Sequence, residues 1–350
     1  MARPMVWHRG EAMRALLQRV HRGLPPLFGT SRPVYVLTCA ATGAMEGAIR
    51  CATRERVLAL VSGAFGERFA RIAEMCGRSV TRLSVPDGET VSPEQLVVAL
   101  EHGHYDAVTA VHVETSTGAM ADLAPLARAV RALPDTLLLV DAVSSVGGTR
   151  VEMDALGLDV VLSASQKALG LAPGLSFLSC SARTMERART LAGRGLYFDV
   201  LRLDDFWRAG ETATTPAIPQ LFALDAQLEA IAHEGLAARY WRHDAMRGAV
   251  ERWVANVREK GVPVGLLAAP GERAPTVSCL TVEGDARHVV QAMRERGLTI
   301  GGGYGVLASR TIRIGHMGDH TVRGVAKLLA ELEAVLPTRG RRGRVRKERR

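Results

Sequence analysis

Between about residues 33 and 180, seven short runs rich in Val, Ile and Leu recur along the chain: PVYVLTC, RVLALVS, SVTRLSV, DAVTAVHVE, TLLLVDAV, VVLSAS and LSFLSC. Most are separated by amphipathic stretches with helical spacing, such as GERFARIAEMCG and SPEQLVVALEHG. The second of these opens with Ser92 as cap, Pro93 at the first helical position and Glu94 in the first turn. Apolar strands alternating with helices predict an α/β fold whose mainly parallel, seven-stranded sheet is covered on both faces. After residue 200 the pattern lengthens into helices, from about Pro219 to Lys260. A smaller α/β segment follows, with TVSCLTV and TIRIG as its clearest strands and DARHVVQAMRERG and VRGVAKLLAELEAVL as its helices. The expected division is a large domain over 1–233 that includes an N-terminal helical segment, a smaller C-terminal α/β domain over 234–337, and a tail over 338–350. No internal repeat is visible.

Composition changes this picture little. With 350 residues, 47% of them hydrophobic, the chain can bury a large core. No run approaches the roughly 20 apolar residues needed to cross a bilayer. The opening MARPMVWHRGEAMRALLQRV is too charged for a secretory signal. A cytoplasmic protein without a membrane partner is expected. The five cysteines are scattered and show no C-x-x-C spacing, so neither a disulfide framework nor a metal site is indicated. The net charge of +9 is concentrated at the end, where TRGRRGRVRKERR holds eight Lys or Arg against one Glu. Such blocks are usually solvated ends, and nucleic acid is not the expected partner. Against 41 arginines the chain has four lysines, Lys167, Lys260, Lys327 and Lys347, so a lysine inside an apolar stretch stands out.

In open parallel sheets, ligands collect beyond the carboxyl ends of the strands. Four strand ends carry polar residues here. In LLLVDAVSSVGG, Asp141 ends a run that should be buried on both faces, where an ionised carboxylate needs a cationic partner; taken alone it reads almost as well as a turn cap. In VVLSASQKALG, Lys167 follows another apolar run; it is either a partly desolvated nucleophile or a surface lysine with a buried stem. TCAATGAMEGAIR runs from a strand through small residues into a helix, presenting free N–H groups to an anion. HVETSTG offers His112, Glu114, Thr115, Ser116 and Thr117 either to a polar ligand or to an ordinary capped turn.

Taken in this order, the segments resemble the class V aminotransferases of pyridoxal phosphate (PLP) fold type I, especially the alanine–glyoxylate and serine–pyruvate branch, over about residues 6–336. The resemblance implies a PLP cofactor held by Lys167 as a Schiff base, with Lys167 also moving the proton during the reaction, and Asp141 as partner of the ring nitrogen. It places Phe65, in VSGAFGER, against the ring face, where the family often has tryptophan. It assigns Ala41 and Thr42 to the phosphate turn, Thr115 to a hydroxyl contact, Val143 to the underside of the ring, Gln166 to the phosphate side, and Arg313, in TIRIGHMG, to the substrate α-carboxylate. It implies a homodimer with shared active sites, in which Thr215 of ETATTPAIP serves the phosphate of the partner's site.

The sequence departs from the family at three places. Thr212 stands where a phosphate-binding tyrosine is usual, and the phosphate turn reads Ala-Ala-Thr where serine and glycine are common. Family members usually start with a Pro-Gly-rich segment that reaches the active site; this sequence starts beyond it, near WHRGEAMRALL, so either it is short at that end or the mouth is built otherwise.

The expected reaction is ping-pong transfer of an amino group from alanine, serine or a similar small amino acid to an oxo acid such as glyoxylate or pyruvate. Two alternatives share the fold: a cysteine desulfurase-like lyase, which typically has histidine over the ring and a mobile cysteine, and a specialised biosynthetic PLP enzyme. A third reading, a non-catalytic nucleic-acid binder that keeps the fold and uses the basic tail, leaves Lys167 and Asp141 without a purpose.

Overall fold

The computed structural model describes residues 5–337; the basic tail lies outside the described residues. Each of the seven apolar runs forms a strand: β1 (Val34–Leu37), β2 (Arg56–Val61), β3 (Ser79–Ser84), β4 (Ala107–Val111), β5 (Leu137–Asp141), β6 (Val160–Ala164) and β7 (Ser176–Cys180). They make one sheet in the order β1-β7-β6-β5-β4-β2-β3. Only β7 is reversed, running antiparallel to both β1 and β6. It follows β6 through a short turn with no crossover helix, and so short a link returns the chain antiparallel. That turn carries Lys167.

Side chains alternate across the sheet as the strand period requires. Leu138 and Val140 of β5 join an apolar cluster with Phe28 and Phe177, whereas Leu137 and Leu139 join another with Ile49 and Phe69 on the opposite face. All five β5 residues are buried, including the terminal Asp141. The second helix of the sequence pattern, Pro93–Glu101, carries a full capping box in which Ser92 and Gln95 satisfy each other's backbone N–H groups.

The long helical stretch is two helices, Ile218–Glu234 and Leu236–Glu259, meeting at Gly235 with φ +80°. We propose that break as the joint between the two units of the chain. Beyond it lies a four-stranded antiparallel sheet, β8 (Val264–Leu266), β9 (Val277–Val282), β10 (Gly301–Gly302) and β11 (Thr311–Gly315), in the order β8-β9-β11-β10. Helices Leu236–Glu259, Ala286–Glu295 and Val322–Val335 pack on it, their Met246, Val250, Met293 and Leu329 joining Ile312 of β11 in one apolar cluster. No helix among the described residues is long and apolar enough to cross a membrane.

Candidate active site

The carboxyl ends of β4, β5 and β6 and the start of the helix after β1 converge on a cavity of about 220 Å³. Ala41, Thr42, Phe65, Thr115, Asp141, Val143, Gln166 and Lys167 all line it. Eight positions spread over 127 residues of chain thus meet at one edge of the sheet.

Asp141 is 4% exposed. Its Oδ1 accepts a hydrogen bond from Val143 N at 2.8 Å, so the turn-cap reading holds for one oxygen. No cationic side chain bonds the other among the described residues. Burial pushes its pKa up to about 7, with Glu114 adding to the rise and Lys167 and Arg68 opposing it. An isolated carboxylate in that position calls for a positive partner from a ligand.

Lys167 sits in the β6–β7 turn, which Ser165 pins by donating from Oγ to Ala172 O at 2.7 Å and accepting from Leu175 N at 3.3 Å. Burial, and then the nearby Arg313 charge, lower the Lys167 pKa and favour the neutral amine that a nucleophile needs. Its Nζ stands 5.7 Å from the Phe65 ring centroid.

Phe65 is the second residue of helix Ala64–Met75, and the HVETSTG turn fixes that helix end. Glu114 Oε2 accepts from Phe65 N at 2.9 Å and Gly66 N at 3.1 Å, while Ser116 Oγ accepts from Ala64 N at 3.0 Å. Gly63 allows the approach, because a Cβ there would stand 2.5 Å from Ser116 Oγ. Of the five polar residues in that turn only Thr115 faces the cavity; Glu114 and Ser116 cap the helix instead. Glu114→Ala leaves buried N–H donors unpaired, and is expected to lower stability by about 2–4 kcal/mol in urea unfolding. An unchanged midpoint would show that the cap carries no weight.

Helix Ala41–Ala52 begins without a side-chain cap. Gly43 N is satisfied by Ala40 O at 2.9 Å, while Ala41 and Thr42 have no protein acceptor for their N–H groups among the described residues. Free N–H groups at the start of a 12-residue helix suit an anion. Gln166 lines the same cavity; its Oε1 is buried without a donor, and only its side-chain amide N–H groups could bond an anion there.

Two expected site residues stand apart from the cavity wall. Arg313, on β11, donates from Nε to Gly302 O at 2.8 Å and from Nη1 to Thr115 O at 3.2 Å. The ring of Tyr304 covers it, with Cζ 4.5 Å from the centroid. Thr215 is exposed and outside the lining. Sequence reasoning missed Tyr304 and Arg68, both of which line the cavity. Tyr304 meets Phe65 edge-on at 5.5 Å and Arg68 lies over the same ring at 4.7 Å. The signals were an aromatic residue inside the glycine run GGGYG and an arginine one helical turn after Phe65.

These features fit pyridoxal phosphate: an amine beside an aromatic face, a buried carboxylate short of a cation, and an uncapped helix start with unpaired donors. Strand order and site together define an α/β transferase of PLP fold type I. The chain belongs to the Aminotransferase class-V family, which it matches over residues 27–327. It is 32% identical to a protein named soluble hydrogenase, small subunit, from a Synechococcus strain, over 96% of this chain and 88% of that protein. Among solved structures it is similar to alanine–glyoxylate aminotransferase from Nostoc, with TM-score 0.87 and 32% identity over 95% of this chain and 89% of the other. It is likewise similar to an aspartate aminotransferase from Thermus thermophilus, with TM-score 0.85 and 34% identity over 95% and 94%. The chain is a transaminase, and its cofactor is pyridoxal phosphate.

Proposed function

We propose that the chain transfers the amino group of a small amino acid, alanine, serine or aspartate, to glyoxylate or pyruvate. The observation that carries this reading is Lys167 and Asp141 meeting in one cavity between the uncapped helix and Phe65. Alanine and aspartate are donors named for similar structures, and glyoxylate is the acceptor named for the Nostoc enzyme.

When bound, pyridoxal phosphate supplies an aldehyde for amine capture and a conjugated ring that accepts electron density from the substrate α-carbon. The N–H groups of Ala41 and Thr42 and the side-chain amide N–H of Gln166 would hold the phosphate end. Phe65 fixes the orientation of the ring and Val143 closes its underside. Asp141 holds a proton at the ring nitrogen and gains there the cation its burial demands. Lys167 would hold the cofactor through Nζ and, as a neutral amine, would take and return the proton of the substrate α-carbon. Arg313 pairs with the α-carboxylate; Nη2 makes no hydrogen bond among the described residues and is free for it. Thr115 offers a hydroxyl at the cavity wall.

Thr215 is exposed outside its own cavity, where a residue serving a partner's site belongs, and a homodimer follows as part of this reading. The five unpaired cysteines suit a reducing cytoplasm. A desulfurase-like lyase fits less well. Its candidate nucleophile Cys279 is 1% exposed inside β9, and burial pushes the thiol up to about 11.

The test is absorbance of the purified protein, with alanine, serine and aspartate added in turn. One of them should convert the visible band of bound cofactor to the amino form, and glyoxylate or pyruvate should restore it. Steady-state rates should give the parallel double-reciprocal lines of a ping-pong reaction, and light scattering should give twice the mass of one chain. Sulfide release from cysteine with no oxo-acid dependence would replace this reading with the lyase.

A further inference from the structure

Helix Leu236–Glu259 buries one stripe along its length: Arg239, His243, Met246, Val250, Val254 and Val257. Four of these are apolar and pack, and the His243 Nδ1 bonds Arg239 O at 2.7 Å. Arg239 is the exception, because it is among the largest fully buried side chains of the protein, at 1% exposure, and it is a cation. Burying a guanidinium where an apolar side chain would pack well is costly. What it bonds to accounts for its presence.

Arg239 Nε donates to Gly147 O at 2.8 Å, and Nη2 donates to Ala168 O at 2.8 Å. Gly147 belongs to the turn that follows Asp141, and Ala168 is the residue after Lys167. Neither carbonyl accepts a backbone N–H in its turn. Both turns also touch directly, since a Cβ on Gly148 would stand 2.8 Å from Ala168 Cβ. The remaining edge of the guanidinium is held from outside by Glu234 at 2.8 Å and Asp319 at 3.3 Å.

We propose that Arg239 is a positioning residue for amino transfer: its planar fork ties the turn after Asp141 to the turn carrying Lys167 and fixes the spacing between those two groups. The inference rests on the roles given above to Lys167 and Asp141. A fork is required, because two carbonyls on different turns are engaged by different nitrogens of one rigid plane. A lysine keeps the charge but brings a single nitrogen. Proton transfer at Lys167 is sensitive to placement, and a displacement of about 1 Å costs up to about 100-fold in rate.

The experiment compares wild-type holoenzyme with Arg239→Lys, Arg239→Met and Glu234→Gln. Three quantities are read for each: kcat and KM for the amino donor, the fraction of chains whose cofactor is fixed to Lys167 by borohydride at saturating cofactor, and the melting temperature. Both Arg239 variants should lose about 10- to 100-fold in kcat with KM changed less than threefold, and should fix less cofactor at Lys167. Glu234→Gln leaves both carbonyl bonds in place and should keep kcat and the fixed fraction while melting lower. If Arg239→Met does not fold, Arg239→Lys decides the matter alone. An Arg239→Lys enzyme that melts lower yet keeps wild-type kcat and full fixation at Lys167 would make Arg239 a docking contact only and overturn the proposal. Failure of wild-type protein to fix cofactor at Lys167 would instead overturn the reading of the site itself.

Discussion

Lys167→Ala is expected to abolish transamination, with turnover falling by about 10⁴-fold or more, because proton transfer by one positioned group alone is worth roughly 10²–10⁴-fold and the proposed role of the same nitrogen is also to hold the cofactor. Among the described residues no other lysine lines the cavity. The other lysines are Lys260, Lys327 and Lys347. Lys260 is exposed and paired with Glu333 at 2.9 Å, away from the cavity lining. The variant should fold normally, since Lys167 makes no side-chain hydrogen bond or ion pair among the described residues and its turn is pinned by Ser165. Stopped-assay turnover with a good donor at saturating cofactor checks it. A variant retaining a tenth of wild-type kcat would remove Lys167 from the chemistry.

Asp141→Asn is expected to move stability and activity in opposite directions. The Asp141 pKa of about 7 in the fold lies above its ordinary 3.8. Between those values the folded protein retains a proton that the unfolded chain releases, so rising pH weakens the cofactor-free fold across that window. Asparagine removes the ionisation while its Oδ1 still accepts from Val143 N. Cofactor-free Asp141→Asn should therefore unfold at higher urea than wild type at pH 7.5, and the two should converge near pH 4. The same change leaves the ring nitrogen without its anionic partner, and kcat should fall by about 10²–10³-fold. A variant equal to wild type in both respects would mean that Asp141 is a turn cap and nothing more.

The large sheet was legible in the sequence because its strands are short and buried on both faces. That leaves unbroken apolar runs whose ends point to one edge. Lys167 and Asp141 stood out as polar residues at or just beyond the ends of such runs, but their roles were read only from the family resemblance. The residues around them did not stand out. In the sequence Glu114 reads equally well as a ligand contact or as part of a capped turn, and only the packing of helix Ala64–Met75 against it shows its carboxylate turned toward three backbone donors. β10 consists of two glycines and gives no apolar signal. Arg239 looks like any helical arginine until the stripe it belongs to is seen to be buried. Arg313 was assigned through the resemblance of its motif, and its position behind Tyr304 depends on a glycine-rich loop whose course no periodicity describes.

The most direct test of the account is to reduce the holoenzyme with borohydride, digest it and map the cofactor by mass spectrometry. The pyridoxyl group should be found on the peptide containing Lys167 and on no other lysine. Finding it on Lys260 or Lys327, or finding no lysine modified in protein that carries the cofactor, would contradict the account.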